Sequence, residues 1–179
     1  MSVISASAPP VLPRGVPPQI GYMRATWVWP YTGPTGRIIG HVVRYDGEER
    51  SKKVIPYFIQ KEGQWAAGAP EAPRPLFGLS NLPKDTSATV YVVEGEKCAQ
   101  ALLYLGFPAV TSLDGSHGAE HADWTPLKPY ENVVILPDND KPGEHYAAQV
   151  ARILRAQNPA ALVRVARLPQ LLDRGDVVD

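Results

Sequence analysis

Four short apolar runs constrain this chain more than anything else in it: ATVYVV (88–93), PAVTS (108–112), ENVVILP (131–137) and ALVRVARL (161–168). Each is too short for a helix and rich in β-branched residues, the pattern of strands buried inside a parallel sheet. Between the first two, Cys98, Ala101, Leu102 and Leu105 recur at i, i+3, i+4 and i+7, a helical stripe that Gly106 ends. Between the last two, residues 143–157 place Tyr146, Val150, Ile153 and Leu154 on one helical face. Strands alternating with helices predict an α/β fold, a small doubly wound parallel sheet over residues 84–179.

The first half follows a different rule. ATWVW (25–29), RIIGHVVRY (37–45) and KKVIPYFIQ (52–60) are β-branched and aromatic, and turn-rich YTGPTG and DGEE separate them. Asp46-Gly47 is a hairpin signal, so residues 21–83 read as a small antiparallel β-rich subdomain. Pro56 predicts an edge strand or a bulge, and Leu76-Phe77 a short strand. Residues 1–20, with Pro9, Pro10, Pro13, Pro17 and Pro18, read as an extended or disordered lead-in. Charge divides along the same line. Residues 1–87 hold ten Lys/Arg and six Asp/Glu, whereas residues 88–179 hold eight and twelve, so the formal net charge of zero is a cancellation. The lone cysteine, Cys98, excludes an intrachain disulfide framework and a Cys-rich zinc site, and reads as a core residue. No apolar run approaches the ~20 residues of a membrane span. The N-terminus lacks the basic start and apolar block of a signal peptide, and a soluble cytoplasmic protein is the expectation.

Doubly wound sheets bind ligands at the carboxyl ends of their strands, and the acids of this chain gather there. Glu94-Gly95-Glu96-Lys97 follows the first run, Asp138-Asn139-Asp140 the third, and Asp173, Asp176 and Asp179 follow the fourth. Carboxylates at i and i+2 on a turn can direct two oxygens at one hard cation. A glutamate from a neighbouring strand end can complete the site or accept a proton. Taken singly, each element has a plainer reading, because Asp and Asn cap helices and make Asx turns. Together, on adjacent strand ends, they concentrate like charge that demands a metal or a cationic partner.

VYVVEGEK (90–97), followed some forty residues later by VVILPDND (133–140) and then by GDVVD (175–179), resembles the TOPRIM domain. That domain is shared by bacterial-type primases, type IA and type II topoisomerases and small nucleases. The blocks are most like those of phage- and plasmid-type primases and primase–helicases. The resemblance implies Glu94 as general base or proton shuttle that also touches metal, and Asp138 and Asp140 as ligands of Mg2+, with Mn2+ as its substitute. It implies Asp176, with Asp179, as a second-metal candidate. Lys97 and Lys141 flank the acidic turns as phosphate contacts, or equally as solvated lysines. The implied activity is RNA primer synthesis from nucleoside triphosphates on single-stranded DNA, with a replicative helicase or helicase domain as partner and no membrane. Two departures stand out. The chain has no Cys/His zinc module, and only residues 21–83 can supply a basic subdomain. Relatives also run on past the position of Asp179, so a fragment of a larger replication protein or a stand-alone relative is expected.

Arg37, Arg44, Arg50, Lys52, Lys53 and Lys61 interleave with Trp27, Trp29, Tyr31, Tyr45, Tyr57 and Phe58 in the β-rich half. Charge beside aromatic rings suits a single-strand groove, for which Arg44, Lys52 and Lys53 are the candidates. Alternation equally allows the rings to be core and the charges a solvated face. His117 and His121 are expected in a polar loop bordering the cleft, and His41 as a structural residue. Two other readings use the same acids: a TOPRIM nuclease, and a non-catalytic nucleic-acid or helicase-docking module. A receiver-like signalling domain fits less well, because the D-x-D doublet follows the third strand of a four-strand unit.

Overall fold

The structure, a computed structural model, describes residues 10–59, 63–167 and Val178. They divide into two compact units, one of Met1–Pro30 with Ile38–Pro70 and one of Tyr31–Arg37 with Glu71–Asp179.

The first unit carries an antiparallel sheet in sequence order: β1 (Gln19–Ile20), β2 (Met23–Thr32), β3 (Ile38–Asp46), β4 (Lys52–Ile59) and β5 (Trp65–Ala67). The expected β-rich meander is therefore present, although Tyr31 and Thr32 at the end of β2 belong to the second unit. Val16, Met23, Val43, Tyr45 and Tyr57 form its core, with Leu12 and Ile20 packed against them. Tyr45 donates its hydroxyl proton to the Pro17 carbonyl at 2.9 Å and lies 3.1 Å from the Tyr57 hydroxyl. Pro56 is not on an edge strand, since β4 runs between β3 and β5. Pairing with β5 begins only at Tyr57, and Gly68 donates to the Pro56 carbonyl just past the end of β5. The missing proline N–H thus falls where the ladder has already stopped.

The second unit holds a five-stranded sheet in the order β10-β9-β7-β8-β6: β6 (Leu76–Phe77), β7 (Thr89–Val93), β8 (Ala109–Ser112), β9 (Asn132–Leu136) and β10 (Leu162–Val165). All neighbours are parallel except β6, which runs antiparallel to β8. Two helices cross between strands, α1 (Glu96–Tyr104) and α2 (Lys141–Gln157). The α/β reading of this half holds, with one correction to a helix face. Cys98, Ala99 and Leu102 are buried on α1, whereas Leu105 caps the helix and is 72% exposed. Between β8 and β9 the chain makes three short 3-10 turns. Their Trp124 and Leu127 join Val90, Val92, Val133, Ile135 and Val163 of the sheet and Tyr146, Val150 and Leu154 of α2 in one core. Among the described residues no helix is long and apolar enough to cross a membrane.

The strand order positions the site. From β7 the chain crosses through α1 to β8 on one side, and from β9 it crosses through α2 to β10 on the other. The adjacent pair β7 and β9 is therefore the switch point, where diverging connections open a crevice at the carboxyl ends.

Within this unit Glu96, the first residue of α1, is only 7% exposed and accepts a hydrogen bond from the Tyr31 hydroxyl at 2.7 Å. Burial raises its pKa above the ordinary value of 4.5. A raised pKa stabilises the fold below the unfolded value and loses that contribution as pH climbs through the folded one. Glu96→Gln keeps the acceptor for Tyr31 and removes the charge. It is expected to raise the melting temperature at pH 8, with the gain disappearing as pH falls to 4.5, a trend that calorimetry across pH would read directly.

Candidate active site

Glu94 is the first residue past β7, and Gly95 behind it adopts φ 97° and ψ 155°. A side chain at that φ would be strained, so glycine is what lets the strand turn into α1 within one residue. The turn leaves Glu94 at the carboxyl end of the sheet, half-buried. Its carboxylate accepts hydrogen bonds from the hydroxyl and the backbone N–H of Ser116. Ser116 lies in the 3-10 turn Gly115–His117 after β8, and the positive φ of Asp114 (79°) and Gly115 (52°) folds that turn back. The second oxygen, Oε2, is buried and has no hydrogen-bond partner. Burial raises the Glu94 pKa and the charge of Asp140 raises it further, while the Ser116 bonds and nearby His117 pull it down.

Asp138 and Asp140 occupy the turn between β9 and α2, which closes on a bond from the Asp140 N–H to the Asp138 carbonyl at 2.9 Å. Asp140 is the N-cap of α2, its Oδ1 accepting from the Gly143 N–H at 2.8 Å. The capping expected of a D-x-D turn and the charge on Glu94 therefore come from the same carboxylate. Gly143 is required here because a Cβ would collide with the Asp138 carbonyl. Among the described residues no three His, Cys, Asp or Glu side chains lie together as a group that could hold a metal ion. An open site is the better match. Mg2+ binds through one or two carboxylates and keeps several waters, and a buried, unpartnered carboxylate oxygen near a second carboxylate suits such an ion.

The remaining sequence candidates are distributed more widely. Lys97 is exposed in the first turn of α1, and Lys141 is exposed at the start of α2. Asp176 lies outside the described residues, as do Asp173 and Asp179. In the first unit Arg44 is paired with Asp46 at 2.8 Å, and the same carboxylate is hydrogen-bonded by Thr26. Lys52 and Lys53 are exposed on β4. Most of the interleaved rings are core: Trp29, Tyr45, Tyr57 and Phe58 are buried. Trp27 is the exception, 49% exposed and stacked on Trp29 with ring centroids 6.3 Å apart. His41 is buried against Trp65. Sequence reasoning missed Ser116; the one available signal was the Asp114-Gly115 turn just before it, next to a histidine already expected at the cleft.

A family model described as Toprim-like matches residues 91–178. The fold is similar to the primase fragment of the bacteriophage T7 primase-helicase, with TM-score 0.59 and 21% identity over 83% of this chain and 55% of that one. It is also similar to the zinc-binding and RNA polymerase domains of the Aquifex aeolicus primase, with TM-score 0.59, 21% identity, and 86% and 36% of the two chains covered. A DnaG primase catalytic domain bound to single-stranded DNA gives TM-score 0.56, 18% identity, and coverage of 86% and 47%. The chain thus spans roughly a third to just over half of these proteins. No curated protein matches the sequence.

Removing the Ser116 hydroxyl takes away a bond to the charged form of Glu94. Ser116→Ala is therefore expected to push the Glu94 pKa further up, as followed by NMR titration of its carboxyl carbon. Gly143→Ala is expected to destabilise the chain by about 1–3 kcal/mol, because the Asp138 carbonyl must move to admit the methyl group. Urea unfolding measures that loss.

Proposed function

Residues 91–178 belong to the Toprim-like family, and on that premise we propose that this chain performs primase-type nucleotidyl transfer: Mg2+-dependent synthesis of RNA primers on single-stranded DNA. The observation that carries the reading is the buried, unpartnered Oε2 of Glu94 beside the charge of Asp140, at the switch point of the sheet.

Glu94 and Asp140 would hold Mg2+, or Mn2+ as its substitute, through an open site that keeps waters, with Asp138 and Asp176 as supporting acids. The ion supplies neutralisation of the triphosphate and of the charge that develops during transfer. Glu94 takes the proton of the attacking 3′-hydroxyl. The new bond joins that oxygen to the α-phosphorus, and the bond from the α-phosphorus to the bridging oxygen breaks to release pyrophosphate. The pKa of Glu94, raised by burial and by Asp140, brings its basicity closer to working pH, where a general base is most effective. Lys97 and Lys141 contribute positive charge toward the phosphates from the first turns of α1 and α2. In the first unit, exposed Lys52 and Lys53 supply charge for the template backbone, and exposed Trp27 offers a ring on which a base can stack. Arg44 takes a lesser share, since Asp46 already balances it. The single-stranded DNA held by the similar DnaG domain supports a template of that kind, and the T7 primase-helicase supports a helicase as partner. The setting is cytoplasmic replication.

Incubating the chain with a single-stranded template, ribonucleotides and Mg2+ is expected to yield short oligoribonucleotides. Glu94→Gln and Asp138→Ala are each expected to lower the yield by about 100-fold or more. Template shortening that Asp138→Ala abolishes would transfer the site to hydrolysis. Absence of any product, with salt-sensitive DNA binding intact, would leave a binding module and overturn the proposal.

A further inference from the structure

We infer that Thr111 and Tyr146 are positioning residues that clamp Glu94 through the peptide groups on either side of it. The inference rests on the reading of Glu94 as the carboxylate of the site. Thr111 on β8 and Tyr146 on α2 are both fully buried. The Thr111 Oγ1 accepts from the Gly95 N–H at 2.9 Å, and the Tyr146 hydroxyl donates to the Val93 carbonyl at 3.3 Å. Val93 and Gly95 are the two neighbours of Glu94, so the acid is held before and after by groups from two different elements.

The sheet itself does not supply this restraint. Pairing of β7 with β8 ends at Val92 opposite Val110, whereas pairing with β9 continues to Val93 opposite Leu136. One step further along β8, Thr111 pairs with Phe77 of β6 on its other side. Its side-chain hydroxyl, rather than its backbone, reaches toward the turn and takes the place of the next rung. One arrangement of protons satisfies the whole cluster. Ser112 donates to the Tyr146 oxygen at 3.1 Å, Tyr146 donates to Val93, Gly95 donates to Thr111, and Thr111 donates to the Ser112 carbonyl at 3.4 Å. Three buried hydroxyls in an otherwise apolar core are unfavourable unless each is paired. Here their pairing converges on the one turn that must present an acid. The turn that carries Glu94 is thereby held on both sides, and Oε2 is left without a partner.

The test uses the full chain, with Mn2+ alone as probe, followed by electron paramagnetic resonance well below the melting temperature. Thr111→Val and Tyr146→Phe each delete one hydroxyl and keep the packing volume. Each is expected to weaken Mn2+ binding by about 10- to 100-fold, the scale on which outer partners of a metal ligand act. The Gly95 amide is expected to exchange faster with solvent in Thr111→Val, and Thr111→Ser is expected to restore both readouts. A lower melting temperature with unchanged Mn2+ affinity would make the hydroxyls merely structural and overturn the inference. Should Tyr146→Phe fail to fold, the Thr111→Val and Thr111→Ser pair decides alone. Loss of binding in Glu94→Gln but not in the hydroxyl variants would remove the positioning role and spare the metal site. Equal binding by wild type and Glu94→Gln, or none by either, would remove the metal site and the positioning role with it.

Discussion

Everything in the second unit depends on β7 and β9 lying side by side and parallel, from Thr89 opposite Asn132 to Val93 opposite Leu136. The two strands are forty residues apart in the chain, and no local preference brings them together. Burial of Val90 and Val92 beside Val133 and Ile135, under the ring of Tyr146 and the side chains of Val150 and Leu154, does so. Once that register is set, both strands end together. The residues just past their ends, Glu94 and the Asp138–Asp140 turn, are then neighbours whatever their charges. The apolar core thus fixes the position of the acids.

Bringing the acids together works against stability. Burial raises the Glu94 pKa, the charge of Asp140 raises it further, and its Oε2 is buried without a partner. Such features persist only where surrounding structure over-determines them. The over-determination is visible in the way each backbone turn is tied down: Gly95 at positive φ, the folded-back 3-10 turn that delivers Ser116, and the Gly143 contact that seats the Asp138 carbonyl against α2. Glu96, two residues from Glu94, is by contrast buried with a hydroxyl donor of its own in Tyr31. The Glu-Gly-Glu block therefore contains one acid that is satisfied inside the protein and one that is left partly unsatisfied at its edge.

Much of this was legible in the sequence, for a specific reason. Runs such as ATVYVV and ENVVILP carry their periodicity locally, and the acids sit directly after them, so strand ends and site could be read together. The β-rich meander was legible through Asp46-Gly47 and its flanking segments. What escaped depended on partners distant in the chain. Leu105 fits the helical stripe but falls on the capping residue, where the face has already turned to solvent. Pro56 signalled an edge, yet the sheet tolerates it inside because β5 stops beside it. Ser116, Thr111 and Tyr146 are ordinary residues in a turn, a strand and a helix. Their places beside the Glu94 turn exist only because β8, the 3-10 turn after it and α2 flank that turn from different directions.

At the N-terminus of α2 an acid stands where a helix end would otherwise attract an anion. A helix N-terminus with unpaired N–H groups is itself an anion site, strengthened by the dipole. In this chain one of those N–H groups is already taken, since the Asp140 carboxylate accepts the Gly143 N–H and so places a negative charge at the start of the helix. An anion approaching α2 directly meets that charge and, beside it, the partly satisfied Glu94. Lys141, the first residue of α2, adds a positive charge at the same helix end. Under the proposed function, a cation mediates between these two acids and a phosphate. On the reading proposed above, the surplus of acid in residues 88–179 serves nucleotide chemistry.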